Sequence, residues 1–272
     1  MLRTKSFIAL SVGAALLTFG QVASACAISA WSSATGLSAA DTGEPTAGFS
    51  RYSGKCSLRA NGPTKFVQDN SPGNATSYFA RYYVNTGTLA GADIFKARDA
   101  ANADVIRVSY NAGALSFFVK GAASQPANIP AVAGRWYSVE LSWAQGAAAA
   151  FNVKVQGNNG AAVTAPATTI NSATDVINNV QLGMINAGAT GQGFFDEFDS
   201  RRTTAPGRLC KGDANGNGTI TGGDAQAIIA EFTSGSATTV IGQPDCNESG
   251  GVTGGDAQCV INLFTTGVTC GV

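Results

Sequence analysis

Two stretches near the C-terminus place short oxygen-bearing side chains in one pattern. In the first, Asp213, Asn215 and Asn217 alternate, followed by Gly218, Thr219, Ile220, Thr221 and finally Asp224. In the second, Asp245, Asn247 and Ser249 lead to Gly250, Gly251, Val252, Thr253 and Asp256. A hard divalent cation takes six to eight oxygens at about 2.3–2.6 Å, and a loop with oxygens at positions 1, 3, 5, 7, 9 and 12 wraps them around one point. The expected ligands of one ion are Asp213, Asn215, Asn217, the carbonyl of Thr219, Thr221 and Asp224. Those of a second are Asp245, Asn247, Ser249, the carbonyl of Gly251, Thr253 and Asp256. The glycine at position 6 makes the sharp turn, and Ile220 or Val252 at position 8 points into a core. Calcium, as two ions, is the predicted cofactor. Each loop offers only two carboxylates at the ligand positions, which suits weak-to-moderate, extracellular calcium binding. The competing reading is a pair of Asx-turns that cap helices without metal.

The elements around these loops repeat as well. Residues 212–235 and 244–267 align without gaps at a spacing of 32, so they are two copies of one unit. The apolar stretches after each loop predict helices over 223–232 and 255–264. Ahead of the loops, Pro206-Gly207 and Gly242-Gln243-Pro244 disfavour a helix, so the EF-hand-type loop lacks its usual preceding helix. Loop then helix, twice, with aspartate at position 12, resembles the type I dockerin over about residues 210–270. That resemblance implies folding on calcium and docking into a cohesin domain. Dockerins usually present recognition side chains at loop positions 10 and 11 and basic residues on their helices. Here those positions are Gly222-Gly223 and Gly254-Gly255, and residues 225–232 and 257–264 carry no basic residue. The expected partner is therefore a cohesin-like protein or the chain's own larger domain.

Six cysteines follow a predicted secretory signal, and an even number in an oxidising compartment points to disulfides. Ala214 and Ala227 of the first repeat become Cys246 and Cys259 in the second, which pairs Cys246 with Cys259. Cys210 and Cys270 bracket the repeats and would clasp their ends. Cys26 and Cys56 remain for the upstream domain; connectivity stays open at this level.

Upstream, strand-like runs with β-branched and aromatic residues occupy 77–84, 104–110, 114–120, 136–143, 151–156, 179–184 and 193–201, separated by Gly, Asn and Pro clusters. Short strands without helical periodicity predict an antiparallel sandwich. The runs Tyr78-Phe79-Ala80-Arg81-Tyr82-Tyr83-Val84, Trp136-Tyr137-Ser138-Val139-Glu140-Leu141 and Phe194-Phe195-Asp196-Glu197-Phe198-Asp199 resemble the laminin-G/concanavalin-like jelly roll of bacterial surface proteins. The fold class is thus mainly β: an antiparallel jelly-roll sandwich with a small C-terminal α dockerin-like module of loop-helix repeats. Residues 1–25 read as a secretory signal peptide, 26–204 as the sandwich and 205–272 as the calcium module, joined by a linker over 203–212.

Jelly rolls host both lectins and hydrolases, so fold alone leaves function open. Glu197 and Asp199, on one side of a strand by alternation, form the best carboxylate pair. Laminarinase-like hydrolases add a further glutamate where this chain has Arg202, so no catalytic residue is assigned and a non-catalytic chain is favoured over an enzyme. Trp31, Tyr52, Tyr82, Tyr83, Trp136 and Trp143 are candidates for a sugar platform, with core packing the alternative. The chain contains no histidine, which removes His-based nucleophilic catalysis and His-ligated zinc. A net charge of zero with no basic run argues against nucleic acid. Arg3, Lys5, the apolar run 7–19 and Ala23-Ser24-Ala25 mark export before Cys26, with lipidation of Cys26 as the competing outcome. No later segment is long and apolar enough to span a bilayer. The leading expectation is a secreted or cell-surface binding protein recognising a glycan or protein. The alternatives are a glycoside hydrolase of polysaccharide catabolism and a structural matrix component.

Overall fold

The computed structural model describes residues 27–43, 49–157, 161–235, 240, 242–249 and 251–270; the predicted signal segment, Cys26 and Gly250 lie outside them. In chain order the strands are β1 (Ser33–Thr35), β2 (Thr42–Gly43), β3 (Ser57–Asn61), β4 (Lys65–Asp69), β5 (Ser77–Asn85), β6 (Ala92–Arg98), β7 (Asp104–Asn111), β8 (Ala114–Val119), β9 (Ile129–Pro130), β10 (Trp136–Ala144), β11 (Ala149–Gly157), β12 (Val163–Thr164), β13 (Thr168–Ile170), β14 (Asn179–Met184) and β15 (Gln192–Arg201). Two helices follow, α1 (Gly222–Ser234) and α2 (Gly254–Thr265).

The strands form two antiparallel sheets. One runs β1-β4-β14-β6-β7-β8-β9 and the other β12-β11-β10-β5-β15-β3-β2, with β13 paired to β11. Alternation decides what each strand buries. In β8, Leu115, Phe117 and Val119 enter the core while Ser116 and Phe118 stay outside. In β11, Phe151, Val153 and Val155 are inside, against Asn152, Lys154 and Gln156 outside. The β7–β8 hairpin turns on Ala112 and Gly113, both with positive φ (49° and 79°). That is the two-residue mirror-image turn whose twist matches the strands.

The seven strongest strand signals all coincide with strands. The segment of β6 carried no readable alternation, for a physical reason. A register irregularity between Asp93 and Phe95 breaks the two-residue period. Lys96, outside the core, is also buried, because Asp93 (2.8 Å) and Asp104 (3.4 Å) close on its ammonium. Conversely, a strand interruption overturns the reading of Glu197 and Asp199 as neighbours by alternation. Asp196 pairs with Tyr83 and Asp199 with Arg81, so the bulge inserts extra chain between them, and Glu197 sits there with φ of 49°.

Candidate metal centre and docking face

The C-terminal module has its own small core. Ala214, Ile220, Ala225, Ala227 and Ile228 from the first repeat pack on Cys246, Ala257 and Val260 from the second. The cores are too small to be secure by burial alone, and covalent links support them. Cys246–Cys259 and Cys210–Cys270 are disulfides with Cα separations of 5.9 and 5.1 Å. Cys56 is also disulfide-bonded; Cys26, its expected partner, lies outside the described residues.

Each helix begins in its loop. Thr221 and Thr253 are the N-caps, and Asp224 and Asp256 close capping boxes with them. The position-12 carboxylates therefore have a local structural task in addition to any metal. Asp224 accepts the N–H groups of Asn215 (3.0 Å) and Thr221 (2.8 Å), and Asp256 those of Asn247 (3.0 Å) and Thr253 (2.8 Å). At position 1, Asp213 accepts from the amides of Asn217 and Gly218, and Asp245 from that of Ser249. At position 3, Asn215 and Asn247 accept from Asn217 and Ser249. Thr219 donates both its amide and its hydroxyl to Asn217.

All four loop aspartates are buried. A buried carboxylate needs hydrogen bonds and a counter-charge. The backbone amides supply the first. Among the described residues no lysine or arginine pairs with Asp213, Asp224 or Asp256, so a cation from solution fits the charge left over. The donors are carboxylate, amide and carbonyl oxygens, as a hard cation requires. Cys210 and Cys270 lie near Asp213 but are bonded to one another and are not thiolate ligands.

The module rests on the outer face of the larger sheet. Arg51 and Glu231 form a buried ion pair between the sandwich and α1. Arg208, from the segment leading into the module, pairs with Glu248 of the second loop, and Tyr52 donates to Glu248 at 3.3 Å. The amide of Gly54 donates to the carbonyl of Gly242 (3.0 Å), and that of Leu209 to the hydroxyl of Tyr83 (2.8 Å). Gly242 in turn packs so tightly on the first loop that a Cβ would lie 1.9 Å from the carbonyl oxygen of Asp213. Residues 206–209, part of the expected linker, thus lie against the sheet, and Arg81 anchors them through the carbonyl of Gly207 (3.0 Å).

This docking settles the aromatic candidates differently from a sugar platform. Tyr52 stacks on Tyr83 at 3.7 Å, and with Trp136, Phe194 and Leu209 they form a separate buried cluster under the module. Tyr82 and Trp143 belong to the main core, and Trp31 packs on Phe198 at 5.1 Å. The carboxylates of β15 are likewise engaged. Asp196 accepts the amides of Tyr52 (2.8 Å), Ser53 (3.1 Å) and Glu197 (2.9 Å), yet burial and the nearby Glu197 raise its pKa well above the usual carboxylate range. Glu197 is raised by burial too, opposed by Arg81 at 3.7 Å. Asp199 pairs at the surface with Arg201 (2.9 Å).

Arg51, Glu231, Arg208 and Glu248 were not singled out by sequence reasoning, although a signal was available. The two repeats differ at the contact positions: Glu231 corresponds to Leu263, and Glu248 to Gly216. Two large apolar positions that stay alike, Ile229 with Ile261 and Phe232 with Phe264, are exposed.

A tandem loop-helix unit with buried acidic loops, carried on an all-β sandwich, defines the architecture. Residues 211–265 match the dockerin type I domain, a class that binds calcium and cohesins. No curated protein matches the chain. Among solved structures, the chain is similar to an endo-β-1,4-glucuronan lyase from the fungus Trichoderma reesei, at 16% identity over 68% of this chain and 95% of that one, with a TM-score of 0.48. It is also similar to a cellulose-induced protein, Cip1, at 13% identity over 57% and 84%, TM-score 0.42. A marine alginate lyase from Aplysia kurodai matches at 9% identity over 54% and 83%, TM-score 0.37. At identities this low no activity carries over.

Proposed function

We propose that the chain is an exported, non-catalytic glycan-binding protein whose C-terminal module holds two calcium ions and offers a docking surface. The ligands proposed for the ions are Asp213, Asn215, Asn217, Thr219, Thr221 and Asp224, and Asp245, Asn247, Ser249, Gly251, Thr253 and Asp256. A cohesin-like partner would meet the exposed Ile229, Phe232, Ile261 and Phe264, because the glycine pairs at loop positions 10 and 11 carry no side chain to read.

The observation that carries the glycan reading is on the smaller sheet. Gln68, Gln181, Lys96, Arg107 and Phe118 are direct partners across β4, β14, β6, β7 and β8, forming one transverse row on its outer face. Arg107 lies over Phe118, 5.0 Å from the ring centroid. The side-chain oxygens of Gln181 and of nearby Asn179 are buried and, among the described residues, have no hydrogen-bond partner. Such acceptors are costly unless satisfied, and a sugar hydroxyl that displaces the side chains covering them would donate to them. A glycan array with the full chain and with the Arg107→Ala and Gln181→Leu variants tests this. Binding by the parent that both variants lose supports the reading; silence on the array together with hydrolysis of a polysaccharide overturns it.

A second reading, a carbohydrate-active enzyme, draws on the raised pKa of Glu197, a property useful in a general acid. It fails if Glu197→Gln leaves a detected activity unchanged. For the metal, calorimetric calcium titration of the full chain should lose one site in Asp213→Ala and the other in Asp245→Ala; unchanged titrations refute the ligand assignment.

A further inference from the structure

We propose that docking of the module onto the sandwich is coupled to calcium occupancy of its second loop, with Glu248 as the coupling residue. This rests on the calcium reading of the loops above. Loop position 4 has left-handed backbone in both repeats: Gly216 with φ of 70° and Glu248 with φ of 54°. Glycine adopts that conformation at no steric cost, whereas a residue with a side chain does not. The first loop uses the residue its geometry favours. The second accepts an unfavourable one, and its side chain goes straight into the interface. Glu248 is 1% exposed, ion-paired with Arg208 and hydrogen-bonded by Tyr52. Arg208 also donates to the Tyr52 hydroxyl at 3.2 Å, so the three groups close a ring between loop, connecting segment and sandwich.

The coupling follows from what the two events share. Binding a cation fixes the backbone of residues 245–249, including the left-handed position 4. Docking needs that same backbone, because only there does the carboxylate reach Arg208 and Tyr52. Each event therefore lowers the conformational cost of the other, and the coupling is reciprocal. The first loop has no such side chain: among the described residues its link to the sandwich runs through backbone, from the carbonyls of Asp213 and Ala214 to Gln243 and Gly242, and from Gly242 to Gly54. The two sites are thus alike in ligands and unlike in consequence.

The test uses the full chain and two readouts, calorimetric calcium titration and the rate of proteolytic cleavage within residues 206–209. In the parent, chelation should speed that cleavage on the order of tenfold, the size of a typical coupling between sites. Glu248→Gly keeps every proposed ligand and restores the glycine that loop geometry favours. It should still bind two ions, while cleavage becomes fast with or without calcium. Asp213→Ala should leave cleavage slow in calcium, and Asp245→Ala should make it fast. Parent cleavage that ignores chelation although two ions bind, or a Glu248→Gly variant that stays protected by calcium, overturns the proposal. An absence of calcium heat in the parent would instead refute the metal reading on which it rests.

Discussion

Replacing Glu231 with alanine will strand Arg51. Arg51 is 4% exposed, and among the described residues two of its three guanidinium nitrogens, Nε and Nη1, already have no hydrogen-bond partner. Glu231 is its counter-charge, itself 6% exposed. Removing one member of a buried pair costs about 3–5 kcal/mol, because the other charge stays out of water. The poorly satisfied guanidinium argues for the upper part of that range. There is also a ceiling. If the cost exceeds the free energy of docking, the module detaches, Arg51 rehydrates, and the measured loss equals the docking term. The repeat suggests the compensating change, since Leu263 occupies the matching position on α2. Arg51→Met with Glu231→Leu replaces the pair by apolar side chains of similar volume, and such swaps are neutral or stabilising within about 1–4 kcal/mol. Urea unfolding of the full chain, followed by tryptophan fluorescence for the sandwich and helical ellipticity for the module, measures both. The reasoning is refuted if Glu231→Ala loses less than about 1 kcal/mol, or if the double variant loses the sum of the two single losses.

Three further outcomes are expected. Converting Cys246 and Cys259 to alanine, the residues at the same positions in the first repeat, should cost about 3 kcal/mol of module stability by loop-closure entropy. Opening Cys210–Cys270, with its separation of 60 residues, should cost about 4 kcal/mol; chelator-free melts of each variant check the order. Burial raises the pKa of Tyr52, Tyr78, Tyr82 and Tyr83. The folded state then holds these protons after the unfolded state has released them. Stability is fully present below about pH 10 and falls above it by up to about 1.4 kcal/mol per pH unit for each tyrosine. Phenolate absorbance should appear together with unfolding, and gradual ionisation of a folded chain would contradict this. Ala112→Asn, at φ of 49° in the β7–β8 turn, should stabilise by about 0.5–1 kcal/mol, because asparagine tolerates the left-handed region better than alanine; a lowered melting temperature would count against it.

The sites and strands most legible in the sequence are those governed by local rules. Asp213 to Asp224 and Asp245 to Asp256 declare their spacing within twelve residues each, and alternation exposes β8 and β11. What stayed hidden depends on partners distant in the chain. Tyr52, Tyr83 and Trp136 read from the sequence as a sugar platform or as core, and the docked module buries them at an interface instead. Lys96 is buried only because Asp93 and Asp104, the latter from the neighbouring strand, close on its ammonium. The bulge at Glu197 has no glycine or proline to announce it; Asp196, holding the segment at Tyr52 and Ser53, accounts for the local geometry. The docking face left a trace only as differences between otherwise matching repeats.

The Cys210–Cys270 bond has a mechanical consequence. A pull applied to the chain near residue 270 would draw the module away from its sandwich. Tension entering near residue 270 would otherwise run through both loops and both helices in turn. The covalent bridge instead passes it from Cys270 directly to Cys210 and on to residues 206–209, which lie against the larger sheet. The residues between, 211–269, including both proposed ion sites, sit outside the load path. Stretched from its ends, the chain should lengthen by the connecting segment and the sandwich strands, while the calcium loops keep their shape under load.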